Sequence, residues 1–93
     1  SQELERKERR FDQLVSSKKA TSADYTDMFL LYNHRRLIDR SLNLLRQMAK
    51  MEPDNPSIQR ALVRGYLDKG CPAHARECLE KEIRLNGEDP VRE

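Results

Sequence analysis

The sequence predicts an all-α chain of about five helices, paired as antiparallel hairpins in one repeating register. Three observations predict it. Helix-forming residues dominate the composition, apolar residues recur at helical spacing between sharp breaks, and the chain falls on itself after a shift of 34 residues.

The first helix is expected over about 2–17, where Leu4, Phe11, Leu14 and Val15 share one face and charged or polar residues cover the rest. Acidic residues gather at its start and lysines follow its end, as the helix dipole favours. Thr21 or Ser22 caps the second helix, with Asp24 close behind. That helix carries Tyr25, Met28, Phe29, Leu31 and Tyr32 and runs to about His34. The third covers 37–51, with Leu37, Ile38, Leu42, Leu45, Met48 and Ala49 apolar. Pro53 and Pro56 then interrupt the ladder, and Asn55 caps the next start with Pro56 in its first turn. The fourth helix, 56–69, presents Ile58, Ala61, Leu62, Tyr66 and Leu67, and ends at Gly70, which takes a positive φ without a side-chain clash. The fifth starts at Pro72, presents Ala75, Leu79, Ile83 and Leu85, and is closed by Asn86 and Gly87.

With 93 residues the chain has the size of one small domain. It is 37% apolar and 37% charged, with a mean hydropathy of −0.93, too little apolar material for a thick core. A thin stack of repeated small interfaces tolerates that composition. The net charge of +2 divides into +2 over residues 1–19, +2 over 20–50 and −2 over 51–93. Such a mild gradient lacks the concentrated basic stripe of a nucleic-acid binder. Arg35, Arg36, Arg40, Arg46 and Lys50 make the middle basic, as a solvated face does. No apolar run approaches the roughly 20 residues of a membrane-spanning helix, and none has the form of a signal-peptide core. Cys71 and Cys78 lie seven residues apart, or about 10 Å along one helix, too far for a disulfide between them. Free thiols in a reducing compartment are therefore expected, with an intracellular location, the cytoplasm first and the nucleus or an organelle as alternatives.

At the 34-residue shift Met28 meets Leu62, Tyr32 meets Tyr66, Ser41 meets Ala75, Leu45 meets Leu79, and Met51 meets Leu85. Shifted the other way, Phe11, Leu14 and Val15 meet Leu45, Met48 and Ala49. The expected organisation is a helix over 1–19, repeats over 22–55 and 56–89, and the start of a further segment at 90–93. Asp89-Pro90 stands where another repeat would begin, so the chain is expected to continue past Glu93 or to have its fifth helix covered by a partner.

A two-helix period of 34 resembles the tetratricopeptide repeat family. Leu62, Tyr66, Gly70, Ala75, Leu79 and Leu85 sit at that family's framework spacings, with Met28, Tyr32, Ser41, Leu45, Met51 and Pro53 in the first repeat. The pattern departs from the family at Phe29 and Val63, at Gln59, and at Glu82, which replaces a small residue. The resemblance implies a short right-handed α-solenoid whose concave groove is lined by the first helix of each hairpin. It implies groove positions at Ala23, Thr26, Leu30, Asn33 and His34, with Ser57, Arg60, Arg64 and Asp68 as their counterparts. Members that clamp a C-terminal carboxylate with a lysine–asparagine pair have no match here, because Thr26 and Leu30 occupy comparable places.

Arg60 and Arg64 are one turn apart, a spacing at which two guanidinium groups can grip a carboxylate-bearing peptide. Neither histidine has a nucleophile and an orienting acid at a catalytic spacing. His74 and Cys78 share a helix face but supply two of the roughly four ligands that a closed zinc site requires. No phosphate-binding glycine loop is present, so no enzyme, cofactor or metal is expected. The expected function is a scaffold or adaptor module that binds a peptide or helix of a partner protein, acidic in character, through Thr26, Leu30, Asn33, His34, Arg60, Arg64 and Asp68. The alternative is a segment for self-association into a homo-oligomer, or for docking within a larger complex.

Overall fold

The computed structural model describes residues 1–87, and the expectation at Asp89-Pro90 lies outside them. The chain is all-α. Its helices are α1 (Gln2–Ser16), α2 (Ser22–His34), α3 (Ile38–Met51), α4 (Pro56–Lys69) and α5 (Pro72–Gly87), with no strand among the described residues. The starts of α2 and α4, Ser22 and Pro56, are 34 residues apart, and so are those of α3 and α5, Ile38 and Pro72. The chain divides into two compact units, Ser1–Arg36 and the part from Leu37 onward. That division falls inside the expected repeat 22–55, grouping α2 with α1 and α3 with α4. The short link between α2 and α3 passes through Arg36 in the left-handed region, at φ 58°.

In the first unit, the Leu4 amide donates to Ser1 Oγ at 3.3 Å, which caps α1. The helix ends through Lys18, also left-handed at φ 60°, while the Lys19 amide returns to the Leu14 carbonyl at 2.8 Å. Thr21, one of two expected caps, starts α2 with a reciprocal pair of bonds. The Asp24 amide donates to Thr21 Oγ1 at 3.3 Å, and the Thr21 amide donates to Asp24 Oδ2 at 2.8 Å. Leu4 and Phe11 of α1 are buried, as are Tyr25, Met28 and Tyr32 of α2. The Phe11 and Tyr25 rings meet edge to face, 5.0 Å apart. The Tyr32 hydroxyl donates to Glu8 at 2.7 Å, and Arg35 Nη1 donates to Ser1 Oγ at 3.1 Å. Later residues of α2 therefore meet earlier residues of α1, which makes the pair antiparallel.

In the second unit, α4 lies between α3 and α5 and runs antiparallel to both. Its start is fixed by Asn55 Oδ1, which accepts from the Ser57 amide at 2.9 Å, with Pro56 in the first turn. It ends at Gly70, φ 83°, where the Gly70 amide bonds the Leu67 carbonyl and the Cys71 amide bonds the Tyr66 carbonyl. That is the paired C-terminal closure a glycine permits. Leu42 and Leu45 of α3 are fully buried, and Ile58 and Leu62 of α4 are buried as well. Gly65 lets α4 approach α3 closely, because a Cβ there would stand 2.7 Å from Leu42 Cδ2. Tyr66 ties the three helices together. Arg46 Nη1 of α3 donates to its hydroxyl at 3.0 Å, and the His74 ring of α5 stacks on it at 5.0 Å.

The fifth helix differs from the expected pattern. Ala75 is buried, but Leu79 and Ile83 are 43% and 58% exposed, and it is Glu82 that turns inward. Contacts with α4, rather than the count of apolar residues, set this rotation. Small Ala75 and the His74 stack face α4, and the flank carrying Leu79 and Ile83 turns away. The helix also runs on through Asn86 and Gly87, past the expected stop.

Candidate partner-binding surface

The fourth helix has two unlike faces. Ile58, Leu62 and Tyr66 are spent on the core, while Ser57, Arg60, Arg64 and Asp68 recur every three or four residues on the exposed side. Asn55 and Gly70 fix where the helix begins and ends, and so fix the direction of this row. Arg60 and Arg64 stand one turn apart, roughly 6 Å along the axis.

Both guanidinium groups are engaged through the same atom. Arg60 Nε donates to Glu82 Oε2 of α5 at 2.7 Å, with its side chain 71% exposed and that of Glu82 only 11%. Arg64 Nε pairs with Asp68 Oδ1 at 3.6 Å on the helix surface. The first bond is short and charge-assisted, and its acceptor is sheltered, so it orients the arginine. The second lies in open solvent and holds its partner only weakly. An arginine bonded at Nε keeps its Nη1 and Nη2 donors for an end-on, two-point contact. The arrangement therefore offers two forked donor groups in a row, one of them aimed by a carboxylate from the neighbouring helix.

Sequence reasoning missed Glu82 as the residue that orients Arg60. The available signal was its departure from a small residue in the repeat pattern: a charge at an inward position requires a partner. Gln59, the other polar departure on the inner side, is also buried. Among the described residues, no buried side-chain nitrogen or oxygen lacks a hydrogen-bond partner. Lys69 of α4 pairs with Asp39 of α3 near the end of the same helix, and this pairing holds the ammonium group above the ordinary lysine range.

The remaining expected positions belong to the first unit. Thr26, Leu30, Asn33 and His34 lie along the exposed side of α2, with Leu30 55% exposed. The expected set thus splits into one row on α2 and another, Arg60, Arg64 and Asp68, on α4. Each row is intact within its own unit.

Cys71 and Cys78 are free thiols, both half-buried. Burial, its first cause, and the neighbouring Glu77 carboxylate push the Cys78 thiol up, against a smaller opposing effect of Lys81. Among the described residues no group of three or more histidine, cysteine, aspartate or glutamate side chains is placed to hold a metal ion. None of the described helices is long and apolar enough to cross a membrane. In comparisons with known proteins, no family model, no curated protein and no solved structure matches the chain.

Proposed function

We propose that the chain is a protein-interaction module of tetratricopeptide-like repeats, serving as a scaffold or adaptor, and that the exposed row of α4 receives an acidic segment of a partner. The coincident 34-residue spacing of the helix starts supports the repeat reading. The observation that carries the binding reading is the Arg60 Nε bond to Glu82, which leaves the terminal donors of a 71% exposed side chain for a ligand, with the 82% exposed Arg64 one turn further along.

The ligand chemistry follows from the spacing. In an extended peptide, side chains two residues apart lie on the same side, about 6.6 Å from each other. That matches the roughly 6 Å rise between Arg60 and Arg64. Asp68, a further turn along, reverses the sign. The row therefore favours two carboxylates at alternate positions followed by a cation, as in Asp-Ala-Asp-Ala-Lys. Each carboxylate would lie across the Nη1 and Nη2 atoms of one arginine.

A blocked peptide of that sequence, titrated into isotope-labelled protein and followed by NMR, tests the proposal. Resonances of α4 around Arg60 and Arg64 are expected to move, and R60E/R64E is expected to weaken binding at least tenfold. Unchanged affinity in that variant would remove the row from the site. Glu82→Gln keeps the shape but loosens the hold on Arg60, and should weaken binding less than loss of the arginine itself.

A second reading has its own observation. Leu79 and Ile83, one turn apart on α5, are exposed on the flank away from α4, as a segment for self-association or docking in a larger complex would have them.

A further inference from the structure

Between α1 and α2 in the first unit lies an open cleft of about 300 Å³. Its floor is apolar, formed by Phe11 and Leu14 from α1 and Met28 and Leu31 from α2. Its two walls carry opposite charge. Lys7 and Arg10 stand on the α1 side, and Asp24 and Asp27 on the α2 side. It occupies a different flank of α2 from the row of Thr26, Leu30 and Asn33, and is independent of the arginine row on α4.

We propose that this cleft is a second binding site, whose occupant is an amphipathic helix of a partner protein. That helix would insert two apolar side chains about one turn apart, with an acidic edge along α1 and a basic edge along α2. Size argues for this occupant. At the ~30 Å³ a water takes up in the liquid, the cleft holds about ten non-hydrogen atoms, enough for two leucine-sized side chains. The floor residues recur at i and i+3 on each helix, Phe11 to Leu14 and Met28 to Leu31. This makes parallel ridges between which a third helix lays its own apolar row.

Charge complementarity narrows the chemistry further. Arg10 and Asp27 are exposed on opposing walls, and among the described residues neither belongs to an ion pair. Lys7 has a solvent-exposed partner, Glu3, at 3.6 Å on its own helix, and Asp24 serves the α2 cap. A ligand of one sign is attracted by one wall and repelled by the other, whereas a helix with unlike edges satisfies both. Reversing a helix end for end in a groove exchanges its left and right edges. The two walls therefore select the N-to-C direction of the bound helix as well as its composition.

The test uses the whole chain and an alanine-based 18-residue probe helix. The probe has leucines four positions apart, glutamates along one edge and lysines along the other, and a control peptide has glutamate on both edges. In an NMR titration the mixed-edge probe is expected to move resonances near Leu14 and Leu31 and to bind at least tenfold more tightly than the control. A nitroxide at its N-terminus should broaden signals at one end of the cleft. In R10E/D27R, which changes only exposed side chains and leaves each wall with one charge of each sign, the directional preference is expected to be lost and the broadening to appear at both ends. Equal affinity for the two peptides, or shifts confined to α4 and α5, would overturn the proposal. So would sedimentation showing the free chain to be a dimer whose cleft resonances change on dilution, which would assign the cleft to a second copy.

Discussion

Cys78 shows at the scale of one residue how burial becomes reactivity. Its thiol is half-buried on α5, and burial, reinforced by Glu77, raises its pKa above the ordinary thiol range. A raised value means that the folded chain holds the proton more tightly than the unfolded one. The associated stability is complete below the unfolded thiol pKa, about 8.5, and is lost as pH climbs through the higher folded value. Alkylation requires the thiolate. In a Cys71→Ser variant, iodoacetamide should therefore modify Cys78 more slowly at pH 8 than it modifies the urea-unfolded chain, with the gap closing at higher pH. Equal rates at pH 8 would contradict the burial argument. Gly65 is the opposite kind of residue, valuable for what it lacks. Alanine there gains about 1 kcal/mol of helix propensity, yet its Cβ meets Leu42, which is only 1% exposed and has little room to yield.

For single elements, the helix ends were the most legible part of the fold, because caps and breakers act within a few residues. Thr21, Asn55 with Pro56, and Gly70 each sit where the local chemistry predicts, and the bounds of α2, α3 and α4 follow within a residue or so. The rotation of α5 was not legible, because it depends on what lies across from it. An apolar count turns Leu79 and Ile83 inward, whereas Arg60 on α4 makes an inward Glu82 tolerable and the Tyr66–His74 stack fixes the phase. The arginine row could be read from its spacing, but its capture at Nε required a residue 22 positions away. The break at Arg36 was hidden for a similar reason, since a non-glycine residue in the left-handed region carries no sequence signal. The cap on α2 offers a direct test. Thr21→Ala should cost about 1 kcal/mol, measured as a lower urea midpoint, while Thr21→Ser, which keeps the capping hydroxyl, should cost a few tenths at most. A comparable loss from Thr21→Ser would take the effect away from the hydroxyl cap.

On the scale of the whole molecule the open question is what covers the bare flank of α5. If Leu79 and Ile83 mediate self-association, sedimentation equilibrium will show a mass rising above the 11.0 kDa of one chain as concentration increases. The double variant L79S/I83S should then remain at one chain mass. A wild-type chain that stays monomeric at tens of micromolar would sink self-assembly and leave docking to a different protein. Leu79 and Ile83 are exposed, so substitutions there test association with little effect on folding, whereas loss of Arg60 leaves the inward Glu82 without its partner and lowers stability as well.

Tyr66, described above as the tie among three helices, also makes the second unit optically separable from the first. The chain has no tryptophan, and its other aromatic residues, Phe11, Tyr25, Phe29 and Tyr32, all precede Leu37. One phenol ring, lodged between an arginine and an imidazole, is thus the sole ultraviolet chromophore of its class in everything from α3 onward. A Tyr25→Phe, Tyr32→Phe chain would emit tyrosine light from that position alone. Its melting curve, set beside that of Tyr66→Phe, would record the two units as separate spectroscopic events or as one.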